Sequence, residues 1–183
     1  MPDRPPVVSF VARSGTGKTT FLEKLIPHLK ARGLRVGVLK HHAHATAFDV
    51  PGKDSYRFAE AGADIVVGAC AVQVAVFYQE NGPADPDALI DRHLGGMDVV
   101  LAEGFKQGGH PKIEVCRAAY AARTTTGLPQ LLCRPDDLLA VVSDCPVGAD
   151  VPRFDLEDAE GVADFLVEWL AHRCGRIAAP AGF

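Results

Sequence analysis

Residues 7–20 read VVSFVARSGTGKTT: an apolar, β-branched run passes through small residues into Lys-Thr-Thr. The residues that follow, 21–30 (FLEKLIPHLK), repeat their apolar positions at helical spacing, so the stretch reads strand, phosphate loop, helix. Glycines at 15 and 17 let the backbone turn its N–H groups inward, and the positive end of the following helix completes a concave site for polyphosphate. The candidate nucleotide-binding segment is therefore Ser14, Gly15, Thr16, Gly17, Lys18, Thr19 and Thr20. Within it Lys18 reaches the β- and γ-phosphate oxygens and the Thr19 hydroxyl ligates Mg²⁺. The general pattern G-x-x-x-x-G-K-[ST] has a glycine where this chain has Ala12, a substitution expected to narrow the backbone angles at the loop's start.

With 183 residues, 48% of them hydrophobic, the chain is expected to form a single α/β domain over 1–183, with 1–6 and 175–183 flexible. A formal net charge of −4, without any Lys/Arg-rich run, gives no general attraction to nucleic acid, so polyanion binding has to come from a focused site. The N-terminal MPDRPP has no apolar signal region, and no apolar run approaches the ~20 residues of a membrane span, which points to a cytoplasmic protein with no membrane partner. Five cysteines at 70, 116, 133, 145 and 174 form no CxxC pair, so they are expected to be buried thiols rather than zinc ligands or disulfides.

Strand and helix patterns alternate along the rest of the chain. Residues 35–40 (RVGVLK) read as a second strand; the polar segment after it, broken at Pro51-Gly52, turns helical from about Asp54 to Ala61. Residues 63–68 and 72–78 read as a hairpin adding antiparallel strands to the sheet. Residues 85–94 read as a helix, 99–103 as an apolar strand ending in Glu103, 112–117 and 140–143 as further strands, and 156–172 as a closing amphipathic helix. The fold class is a mostly parallel α/β sheet of the P-loop NTPase kind, with helices on both faces and an added antiparallel hairpin.

Ligands of an open α/β sheet sit beyond the carboxyl ends of its strands, so the residues just after strands carry the chemistry. Glu103 stands where P-loop proteins place the acidic residue that holds Mg²⁺ or its waters, and Gly104 leaves room for the γ-phosphate; a solvated strand end is the alternative for Glu103. Asp54 could orient a water, with Arg57 one turn later meeting phosphate; an exposed i,i+3 ion pair explains both equally well. Asp49 is a weaker candidate of the same kind. Lys18, Asp54 and Glu103 form the candidate catalytic set, and Thr19 with Glu103 the candidate metal ligands. His41, His42 and His44 lack a Cys or carboxylate at zinc spacing, so contacts to nucleotide or partner are the better reading. Asp144, ending AVVSD, could accept from the N1–H and amine of guanine and so select GTP, although no Asn-Lys-x-Asp motif accompanies it and a solvated aspartate is an equal alternative.

SFVARSGTGKTT, LKHHAHATAFDVPGKDSYRFAEAGAD, DVVLAEGFK and PKIEVCR, in this order over nearly the whole chain, resemble the molybdopterin-guanine dinucleotide biosynthesis protein B family. The resemblance implies a GTP-binding, slowly hydrolysing P-loop protein of the class that includes the signal-recognition GTPases, working as a homodimer. It would assist the guanylyltransferase that attaches GMP to molybdopterin, with molybdopterin a further candidate ligand. DSYR at 54–57 is similar to the D-T-x-R element of that class, while Ala12 and the Gly-Phe at 104–105 depart from its patterns and argue against strong hydrolysis. Two other readings compete. A small-molecule kinase needs a mobile arginine lid, for which Arg117 and Arg123 are the candidates; a non-catalytic adaptor would bind GTP only to hold a shape.

Overall fold

The computed structural model describes residues 4–41, 48–78, 82, 85–105, 108–120, 122 and 124–174. The chain runs β1 (Val7–Ala12), α1 (Lys18–Ala31), β2 (Val36–Lys40), α2 (Asp54–Glu60), β3 (Ile65–Ala69), β4 (Val74–Tyr78), α3 (Pro86–His93), β5 (Val99–Glu103), β6 (Lys112–Cys116), a 3-10 turn (Pro135–Asp137), β7 (Leu138–Ser143), β8 (Arg153–Phe154) and α4 (Ala159–Cys174). It groups into two compact units, residues 1–41 with 86–183, and residues 42–85.

In the larger unit, six strands form one sheet in the order β2-β5-β1-β6-β7-β8, with every neighbouring pair parallel. Every position of β1, β5 and β6 is buried; β1 and β5 accordingly read as nearly continuous apolar runs, whereas β6 (KIEVC) also buries the charged Lys112 and Glu114, the latter accepting from the Leu132 and Cys133 amides. Side chains alternate between two cores. Val8, Phe10, Leu101 and Val115 pack with Leu25 and Leu29 of α1 and Val162 and Leu166 of α4. On the opposite face Val7, Val100 and Ala102 pack with Ile90 of α3. Phe10, Leu25, Leu29, Ile90 and Leu166 are fully buried, each contributing about 1.5–3 kcal/mol of apolar transfer free energy. The helices thus cover both faces, and the loop between β1 and α1 is held at the carboxyl edge by two packed elements.

The smaller unit holds α2 and the hairpin. β3 and β4 pair antiparallel with Ile65 opposite Tyr78 and Val67 opposite Val76, the turn closed by the Cys70 amide donating to the Gln73 carbonyl at 2.9 Å. Among the described residues these two strands form a sheet of their own rather than extending the main one, as had been expected. The local turn satisfies both strands at small loop-closure cost, and neither needs a place in the parallel sheet.

β8 escapes sequence reading because two residues carry no periodicity; only its register beside Val141 and Val142 makes it a strand. The expectation of buried thiols fails for Cys70, which is exposed in the hairpin turn, whereas Cys116 is buried and Cys133 and Cys145 are half-buried; all four are free. Burial pushes the Cys116 thiol up to about 11 and the Cys133 thiol to about 12, so both stay protonated near neutrality. Among the described residues no helix is long and apolar enough to cross a membrane.

Candidate functional site: a phosphate loop and its carboxylate

Ala12 lies in β1 with its side chain in the core, and among the described residues no residue other than glycine has a positive φ. The chain therefore needs no glycine at this position, and the expected narrowing of the loop does not arise. The conformational demand falls on Gly15 (φ 78°) and Gly17 (φ 95°), both left-handed, with Gly17 immediately preceding Lys18, the first residue of α1. Thr16 is 2% exposed and donates its hydroxyl to the Arg13 carbonyl at 2.7 Å, so this side chain is used inside the loop. Ser14, Gly15, Thr19 and Thr20 are exposed.

Parallel register brings the remaining parts together. Glu103 sits opposite Phe10 of β1 and opposite Lys40 of β2, at the edge where the phosphate loop leaves the sheet. It is only 8% exposed, which overturns the solvated strand end. Its Oε1 accepts the Thr19 hydroxyl at 3.0 Å and lies 3.4 Å from Lys18 Nζ, while its Oε2 lies 3.8 Å from Lys40 Nζ. Lys18, Thr19 and Glu103 were each legible in the sequence; Lys40 was not. The signal that could have found it is that β2 ends in a charged residue just as β5 does.

Gly104 has φ 97°, and a Cβ there would stand 2.7 Å from the His41 carbonyl oxygen. Its need for glycine comes from this close approach of the end of β2, where the His41 amide also donates to the Glu103 carbonyl at 2.8 Å. The His41 ring packs on Phe105 with centroids 5.0 Å apart. His42, His44, Lys106 and Arg123 lie outside the described residues.

The donor set suits a hard cation. Thr19 Oγ1, a hydroxyl, and Glu103 Oε1, a carboxylate oxygen, stand together beneath the loop, the kind of oxygen donors that Mg²⁺ takes. Among the described residues no group of three His, Cys, Asp or Glu could hold a metal ion.

Other expected residues fall elsewhere. Asp54 and Arg57 belong to the smaller unit, where they form the i,i+3 ion pair at 3.5 Å with both side chains mostly exposed. Asp49 accepts from the Val50 amide and the Ser55 hydroxyl in the same unit. Asp144 is exposed, and its Oδ1 accepts the Ala118 amide at 2.9 Å, anchoring the turn after β6. From that turn Arg117, a candidate lid arginine, donates its Nε–H to the Thr16 carbonyl at 2.8 Å. It is fastened to the phosphate loop.

Residues 7–144, from the first residue of β1 to Asp144, match the model of the family "Molybdopterin guanine dinucleotide synthesis protein B", MobB. The chain belongs to the MobB family. The matched span contains the phosphate loop, Lys40, Glu103, Arg117 and Asp144; α4 lies beyond it. The chain is 40% identical over 173 residues to the molybdopterin-guanine dinucleotide biosynthesis adapter protein of Escherichia coli (strain K12), covering 93% of this chain and 96% of that protein. It is 39% identical over 170 residues to the protein of the same name from Haemophilus influenzae, covering 91% and 90%. A crystal structure of the molybdopterin-guanine biosynthesis protein B superposes with a TM-score of 0.67 at 28% identity, covering 90% of this chain and 98% of that one. The MobB of Bacillus subtilis shares the fold, with a TM-score of 0.66 at 24% identity over 89% of this chain and 96% of that one.

Proposed function

We propose that this MobB-family chain is a GTP-binding adapter in molybdopterin-guanine dinucleotide biosynthesis, acting with the guanylyltransferase that joins GMP to molybdopterin. The observation that carries the nucleotide site is the convergence of Lys18 and Thr19 on one buried carboxylate beneath a loop with two left-handed glycines. The loop amides and the N-terminus of α1 bind the phosphates, Lys18 neutralises their charge, and Asp144 selects guanine through its remaining acceptor capacity. Thr19 and Glu103 would hold Mg²⁺, which supplies neutralisation of the β- and γ-phosphate charge. Glu103 is engaged by Thr19, Lys18 and Lys40, so it supplies no free base for an attacking water, in keeping with slow hydrolysis. An arginine already fastened to the loop gives the kinase reading no support.

A homodimer is part of the proposal. The hairpin turns Ile65, Val67, Val74 and Val76 to one face, and these side chains are 60%, 61%, 64% and 50% exposed. Ile65 and Val67 also line, with Phe58 and Val66, an open groove of about 550 Å³. A contiguous apolar face on an unpaired two-stranded sheet is the kind of surface that a second copy covers.

The metal arm is tested with Glu103→Gln. Mg²⁺-dependent GTP affinity should fall by about tenfold, the equivalent of 1.4 kcal/mol, while metal-free GDP affinity stays within about twofold, as measured by calorimetry. Equal losses with and without metal would make Glu103 a structural residue only.

A further inference from the structure

We infer that Arg117 is a positioning residue of the phosphate loop, aiming the Gly17 amide by gripping the Thr16 carbonyl from behind. The inference rests on the nucleotide-binding reading for the identity of the ligand; the geometry is independent of it. β6 lies beside β1 with Val115 opposite Ala12, so the residues just past β6 run alongside the start of the loop. Cys116 lies opposite Ser143, which brings Asp144 next to the same turn, where its Oδ1 takes the Ala118 amide at 2.9 Å. The turn is closed by the Tyr120 amide donating to the Arg117 carbonyl at 3.0 Å. Arg117 is thereby held on a fixed base, and its Nε–H reaches the Thr16 carbonyl, 101 residues earlier, at 2.8 Å.

The Thr16 carbonyl and the Gly17 N–H belong to one planar trans peptide, so they point in opposite directions. Fixing the carbonyl toward Arg117 fixes the amide away from it. That matters at this peptide because Gly17, left-handed with φ 95°, has no side chain to restrain its backbone. The guanidinium lies across the back of the same residue: a Cβ on Gly17 would be 3.5 Å from Arg117 Nη2. Tyr120 covers Gly15 from the same turn, with its Cε1 3.4 Å from where a Cβ would stand. Arg117 therefore acts through the loop peptide it holds, and Asp144 supports it by holding the turn.

Three substitutions separate orientation from charge. In Arg117→Gln the side-chain amide nitrogen occupies the place of Nε, so the donor survives without the charge; Arg117→Lys keeps the charge but loses the planar donor at that place; Arg117→Met has neither. Calorimetry with Mg²⁺-GTP, GDP and inorganic pyrophosphate is expected to show about tenfold weaker binding for Met and Lys, the size of one well-placed hydrogen bond, with Gln restoring affinity to within about threefold. Wild-type affinity in the Met variant would overturn the inference, as would a normal Lys variant beside a weak Gln variant, since that assigns the effect to charge. If the Met variant fails to fold, the Lys and Gln pair decides alone. A wild type that binds pyrophosphate and does not prefer GTP to ATP would refute the guanine reading and leave the same pair to judge Arg117; one that binds none of the ligands would refute both.

Discussion

Lys18→Ala should abolish nucleotide binding while the protein remains folded. The ammonium is a point charge aimed at the site, and losing its pairing with phosphate in a partly water-excluded loop costs about 3 kcal/mol or more, on the order of 100-fold in affinity. Lys18 lies 3.4 Å from Glu103, so its removal is not without structural consequence. The carboxylate keeps the Thr19 hydroxyl at 3.0 Å and Lys40 at 3.8 Å, however, and is not left as an uncompensated buried charge. The thermal midpoint should therefore move by only a few degrees, within the shift that about 1 kcal/mol produces. GTP affinity within a few-fold of wild type, with unchanged stability, would remove the phosphate loop from the account.

Val76→Asp should convert a dimer into monomers. Val76 is half exposed on β4, opposite Val67, so within one copy the carboxylate stays in water and the hairpin keeps its register. At an apolar interface between copies the same carboxylate would lose its solvation without a partner, a penalty of several kcal/mol and so more than about 100-fold in the dimer constant. Sedimentation at tens of micromolar should show the change while GTP affinity is retained and stimulation of the guanylyltransferase falls. A wild type that sediments as a monomer with or without GTP would refute the dimer. A Val76→Asp protein that remains dimeric would move the interface off this face.

What could be read from the sequence was what local chemistry determines. The strand, loop and helix around Lys18 carry their own periodicity and glycines, and β1 and β5 are largely apolar because both faces of the sheet are covered. What escaped depends on register between distant segments. Lys40 meets Glu103 because β2 and β5 pair in register, and Arg117 meets Thr16 because β6 runs beside β1. Neither contact is set by neighbours in sequence. Gly104, read from the sequence as leaving room for the γ-phosphate, is held to glycine by a contact no local pattern announces, the His41 carbonyl just past the end of β2. The hairpin strands were legible from their β-branched residues, whereas the sheet they join depends on long-range pairing. Asp54 and Arg57 form the short-range ion pair that their spacing offered beside the phosphate reading.

The central claim is a guanine-nucleotide site built on the loop at residues 12–20 and completed by Glu103. Calorimetric titration of the purified wild-type protein with GTP and with ATP, each with and without Mg²⁺, tests it most directly. The account predicts that GTP with Mg²⁺ binds tightest, by at least about tenfold over ATP, and that omitting Mg²⁺ weakens the triphosphate. Equal affinity for GTP and ATP, or GTP binding indifferent to Mg²⁺, would contradict it.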